Sequence, residues 1–185
     1  MSILKIARMG HPVLRGRAEA IDDPADPEIV RLVADMVETM MDANGRGLAA
    51  NQVYVPKQVV VYIPPRDDEE GDEEDDVEVV VLINPRIEAL SEETEDGWEG
   101  CLSLPELCGI VPRITRIRLH AIAADGSAID QELSGYHARV VQHECDHLNG
   151  ILYPMRMRDL SSLMFDSEVS HLASEPATET DDGQS

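Results

Sequence analysis

The sequence predicts an α+β fold, with antiparallel β-sheets packed around a central helix. Three observations predict it. Apolar residues recur at helical spacing between 25 and 44, short apolar runs divided by turn residues fill the middle of the chain, and a second helical stretch comes late, from 135 to 150. With 185 residues, 43% of them apolar, the chain suits one core. Aromatics are only 3%, so aliphatic side chains and the eight methionines must fill that core.

The first helix rests on Ile29, Val33, Met36, Val37, Met40 and Met41. Asp22, Asp23 and Asp26 crowd its start and Gly45 lies just past its end, as helix termini prefer. GRGLAANQVYVP is then a glycine-rich turn leading to QVVVYI, a short buried strand. Residues 66–78, RDDEEGDEEDDVE, carry no apolar period and read as a solvated acidic loop without the spacing of a calcium-binding loop. VVVLINPRIEAL reads as strand, turn and strand, and WEGCLSLPELCGIVPR as irregular, because Gly and Pro punctuate it. ITRIRLHAIAA and the SAIDQEL stretch form a hairpin around Asp125-Gly126. The helix at 135–150 closes at Asn149-Gly150, and MRDLSSLMF holds a short helical turn. A single domain over 1–165 is expected, with an acidic, disordered tail at 166–185.

The net charge of −22 argues against a nucleic-acid-binding surface and against docking on anionic membranes. No stretch approaches the length of an apolar transmembrane helix, and the N-terminus lacks a cleavable signal pattern, so a soluble cytoplasmic protein is expected. Three cysteines without a secretory signal argue for reduced thiols, one of them available to a metal.

The sharpest local signal is His143-Glu144-Cys145-Asp146-His147. On a helix, two histidines four residues apart share a face and can reach one metal ion, with Glu144 about 100° round as a general base. The alternative for an isolated match is a surface helix with two solvated histidines. Tyr136 and Val140 continue the same stripe, which favours a site on a buried helix face with an apolar pocket beside it. A hydrolytic metal site needs a third ligand and an open position. Cys101, in EGCLS, is the candidate; Cys145 falls on the opposite helix face and packs, and Cys108 stays open between core and exposed thiol. His11, His120, His137 and His171 read as structural or solvated. Gly45-Arg46-Gly47-Leu48-Ala49-Ala50-Asn51-Gln52 lets another backbone approach closely, and Gln52 brings an amide donor.

Together GRGLAANQ (45–52), EGCLS (99–103) and QHECDH (142–147) resemble the three motifs of the peptide deformylase family, and MGHPVLR resembles its usual opening. The resemblance spans about residues 3–165. It implies that Cys101, His143 and His147 hold one Fe²⁺, which Zn²⁺, Ni²⁺ or Co²⁺ can replace, and that Glu144 is the catalytic acid and base. It implies an oxyanion held by Gln52 and the Leu102 N–H, and a methionine pocket from Tyr136, Val140 and the surroundings of Trp98 and Glu99. Arg46, Gly47 and Gly100 match positions that meet the peptide. The implied partners are N-formylmethionyl nascent peptides, with transient proximity to the ribosome and no direct nucleic-acid binding. Asn51, Tyr54 and Cys108 depart from common family residues, and the acidic loop looks like an insertion.

Fixed carboxylates at this density repel one another at low ionic strength. The melting temperature should therefore rise between low and molar salt; a salt-independent melting temperature would show that this repulsion does not limit stability.

Overall fold

The computed structural model describes residues 2–65 and 78–172. Helix α1 (Pro27–Asp42) starts where Asp26 accepts the Glu28 N–H at 2.8 Å and Pro27 presets the first turn. It ends at Asn44, in the left-handed region at φ 52°, and the Gly45 N–H donates to the Met40 carbonyl. Its inner face buries Met36 and Met40 among Leu48, Val59, Val61 and Ile83, with Ile29, Val33 and Val37 packed beside them as the apolar period marked, while Met41 of that period is 42% exposed.

Strands β1 (Gly47–Ala49), β2 (Val59–Tyr62), β3 (Val80–Ala89), β6 (Arg116–Ile122) and β7 (Ala128–Ser134) form one antiparallel sheet in the order β1-β2-β3-β6-β7. All four residues of β2 are buried, because α1 and α2 (Gly135–Leu148) cover opposite faces of the sheet. Strands β4 (Thr94–Cys101) and β5 (Leu104–Ile114) form a long hairpin that is extended by the two-residue β8 (Met164–Phe165). Between the two sheets runs α2, burying Ala138, Val141, Cys145 and Leu148 against Val60, Leu82, Ile117 and Leu119. A four-residue α3 (Val169–Leu172) comes last.

The α+β arrangement around a central helix is as the sequence predicts, and so is the hairpin at Asp125-Gly126, where Gly126 takes φ +84°. Two local readings are corrected. The stretch 98–113 is not irregular but lies mostly in the β4–β5 hairpin. Two glycines of the hairpin, Gly97 just before this stretch and Gly109 within it, serve close packing rather than turns: a Cβ at Gly97 would meet the Arg139 guanidinium, and one at Gly109 the Met157 side chain. Residues 79–90 hold one strand rather than two. The Asn84-Pro85 turn signal marks a bulge within β3, where Asn84 at φ 52° bonds both the N–H and the carbonyl of Ile21 at 2.8 Å. The expected acidic loop lies almost wholly outside the described residues. Within the expected tail, 166–168 form a 3₁₀ turn before α3; residues 173–185, the rest of that tail, lie outside the described residues.

An N-terminal strap ties the parts together. The Ala7 N–H donates to the Gln52 carbonyl (2.7 Å), Met9 to Ser103 (2.8 Å) and Ala18 to Leu148 (2.8 Å). Gly150, at φ +74°, ends α2 beneath this strap, and a Cβ there would lie 2.5 Å from the Arg15 carbonyl oxygen. Gly150→Ala should destabilise the fold by about 2 kcal/mol or more in urea unfolding, combining backbone strain and overlap. Gly126→Ala, equally left-handed but with nothing within 4 Å, should lose only about 1 kcal/mol.

Candidate metal centre and active site

Each of the three sequence segments arrives on a different element. Gln52 lies in the 3₁₀ turn after β1, Cys101 at the last position of β4, and His143, Glu144 and His147 on α2. The helical repeat sets the two imidazoles 5.0 Å apart between ring centroids. Cys101 Sγ lies 3.2 Å from His147 Nε2, and one ligand atom from each of Cys101, His143 and His147 falls within 4.8 Å of the others. Burial opposes a charge on the Cys101 sulfur, but the neighbouring His147 and His143 outweigh it and hold the thiol well below its usual range. The Ser103 N–H (3.4 Å) and Gln52 Nε2 (3.6 Å) also point to that sulfur.

The orientation of His143 comes from a carboxylate. Its Nδ1 bonds Glu99 Oε2 at 2.9 Å, leaving Nε2 to face the cluster. Glu99 is buried and accepts from Arg113 Nε (2.8 Å), Arg113 Nη2 (2.9 Å) and Arg139 Nη1 (2.9 Å). Burial raises its pKa, yet the bonds from Arg113 and His143 prevail and bring it down to about 2. Arg139 also donates to the carbonyls of Glu95 and Val111, both at 2.7 Å, and Arg113 and Arg156 both engage Asp146 on α2.

Glu144 is different. It is 4% exposed, its Oε2 has no hydrogen-bond partner, and burial pushes its carboxyl above the usual range. Gly47 faces it so closely that a Cβ there would overlap the carboxylate. Gln52 is fixed at one end, where Oε1 accepts the Ala49 N–H (2.8 Å), and its Nε2 reaches Ser103 Oγ (3.1 Å).

A cavity of about 450 Å³ opens beside the cluster. Every residue that the sequence named for substrate contact lines it: Arg46, Gly47, Trp98, Glu99, Gly100, Tyr136 and Val140, together with Gln52, Cys101, Leu102, His143 and Glu144. Trp98 and Tyr136, 41% and 54% exposed, stand at its mouth. His147 is buried beneath. His11, His120, His137 and His171 lie outside the cluster; His137 instead bonds the Tyr62 hydroxyl at 2.9 Å. Cys145 packs in the core behind the helix with its thiol raised, and Cys108, left open by the sequence, is buried.

A thiolate and two imidazoles form a donor set suited to one divalent transition-metal ion, with the buried, unpaired Glu144 carboxylate beside it rather than among the ligands. The polypeptide deformylase family model matches residues 3–162. The chain belongs to the polypeptide deformylase family. This deformylase is 49% identical to peptide deformylase 1 of Nitrosomonas europaea over 85% of its own length and 89% of the relative's. It is 50% identical to peptide deformylase 2 of Ralstonia nicotianae over 88% and 92%. Among solved structures it superposes on the Thermotoga maritima peptide deformylase with TM-score 0.74 at 38% identity, covering 85% of this chain and 99% of that one. The Met-Ala-Ser-bound class I type b peptide deformylase of Acinetobacter baumannii gives 0.73 at 35%, covering 83% and 99%. The deformylase is thus a metal-dependent hydrolase that removes N-formyl groups at this site.

Sequence reasoning missed the roles of Arg113, Arg139 and Asp146. Asp146 stood within the third motif without a role, and the local signal for Arg139 was a lone cation on the apolar side of a helix.

Gly47→Ala should displace Glu144 without touching a metal ligand. Deformylation should fall at least about tenfold, a rise of about 1.4 kcal/mol in the barrier, while metal content by elemental analysis stays at one ion per chain. Unchanged turnover would mean that the Glu144 position is not critical.

Proposed function

We propose that the protein removes the formyl group from the N-terminal formylmethionine of newly made polypeptides, using Fe²⁺ held by Cys101, His143 and His147. One observation carries the reading: a buried carboxylate without a partner, Glu144, sits beside a Cys-His-His cluster at the floor of a cavity wide enough for a peptide end. When bound, the cation would polarise the formyl oxygen and lower the pKa of a coordinated water toward about 7.

The chain's own groups do the rest. Glu144, its pKa raised by burial, accepts the proton of the attacking water and passes it to the departing amine. Gln52, anchored through Oε1, offers Nε2 to the developing oxyanion, and the Leu102 N–H at the β4–β5 turn is its companion. Arg46, Gly47 and Gly100 border the path of the peptide backbone. Val140 and Tyr136, with Trp98 and the segment at Glu99, border the methionine side chain. The Glu99 carboxylate itself is engaged with Arg113, Arg139 and His143, so its contribution is to hold His143. A formyl carbon carries only hydrogen beside its oxygen, so a close-walled site favours it over larger acyl groups. The family resemblance supports Fe²⁺; the donor set equally suits Zn²⁺, Ni²⁺ or Co²⁺. No helix among the described residues is long and apolar enough to cross a membrane, in keeping with work in the cytoplasm near the ribosome.

Formate release from formyl-Met-Ala, measured with Fe²⁺-loaded protein kept free of oxygen, tests this. Wild type should turn over, and Glu144→Ala should lose about 10²–10⁴-fold while still binding one ion. Equal activity in the two would remove Glu144 from the reaction, and no turnover in either would leave only a metal-binding protein.

A further inference from the structure

A second cavity, about 770 Å³, opens on another face of α2 and shares no lining residue with the substrate cavity. Its charge is the reverse of the molecule's. Acidic residues outnumber Lys and Arg 37 to 15 over the chain, yet this cavity is lined by Arg17, Arg86, Arg113, Arg156 and Arg158, with Asp146 the only acidic lining residue among the described residues.

Asp146 is already engaged. It accepts from Arg156 Nε at 3.0 Å and Arg156 Nη2 at 2.7 Å, and from Arg113 as well. Arg158 donates to Thr94 Oγ1 at 3.0 Å and reaches Asp96 only at 3.8 Å. Arg17 and Arg86 form no ion pair or side-chain hydrogen bond among the described residues. Guanidinium groups converging on one hollow repel one another, and none of the described carboxylates pairs with these two. The planar forks match oxyanions, and a phosphate dianion can be shared among several of them. The volume lies in the range of small-molecule sites.

We infer that this cavity is a binding site for a phosphate group, free or carried as a small-molecule monoester, with Arg17 and Arg86 as its unpaired clamps. The site is independent of the deformylase reading, since neither arginine touches the metal cluster or the substrate cavity.

Inorganic phosphate and adenosine 5′-monophosphate would be titrated calorimetrically into the Ni²⁺-loaded full chain. Both should bind saturably, and Arg17→Gln with Arg86→Gln together should weaken each at least about tenfold, or 1.4 kcal/mol, with each single change giving part of that loss. Arg31→Gln, on the exposed face of α1, should leave binding intact and so separate the cavity from general charge effects. The double variant should deformylate formyl-Met-Ala at the wild-type rate without phosphate, showing that fold and metal site persist. The inference is overturned by absence of saturable binding up to about 10 mM. It is overturned equally by binding that the double variant retains, which would place the anion at the metal. Capture of a single-stranded RNA twelve-mer without capture of the small phosphates would also overturn it, making the patch a nucleic-acid surface.

Discussion

The buried carboxylate of Glu99 is the interaction on which the site depends. It stands on β4, two residues before Cys101, and receives Arg113 from β5 and both Arg139 and His143 from α2. A carboxylate cannot be buried alone, and each partner removes part of the desolvation penalty. The result is a junction where hairpin and helix are fixed relative to one another by groups that would each be unstable without the rest. The metal ligands ride on that junction: Cys101 comes after Glu99 along the strand, and His143 is oriented by it. Losing one partner of such a set typically costs about 3–5 kcal/mol, far more than an exposed pair such as Lys57–Glu19 contributes.

Around this junction the two sheets have different tasks. The five-stranded sheet buries β2 between α1 and α2 and gives the helix a rigid bed. The β4–β5 hairpin carries the polar network, and its glycines are small so that arginine and methionine side chains can cross it. Gly47 works in the same way on the other side, leaving room for the Glu144 carboxylate. Absence of a side chain is as much a part of this site as its charged groups.

Much of this was legible in the sequence. The period of α1, the Asp125-Gly126 hairpin and the helical spacing of His143 and His147 are local patterns, and local patterns report local structure. Residues 45–52, 99–103 and 142–147 could be joined only through family resemblance, because nothing in their own spacing says that they meet. The β4–β5 hairpin was hidden because Gly100, Gly109, Pro105 and Pro112 carry the same letters as a loop, although Gly109 serves close packing against Met157. The partners of Arg113 and Arg139 were hidden for another reason: they lie 14 to 40 residues away, and no short-range pattern encodes such pairing.

The strap at residues 7–18 gives the chain a temporal order. It bonds to Gln52, Ser103 and Leu148, each within or next to one of the three segments that build the centre. Those segments span the chain, and the last anchor is the final residue of α2. During synthesis the strap leaves the ribosome before all three of its anchors, and the last of them, Leu148, follows only after the whole intervening segment. Through that interval it must wait unpaired, since contacts of high sequence separation form only after the intervening loop can close. The three segments can therefore be tied together by the strap only after residues as far apart as Ala7 and Leu148 are present on one chain.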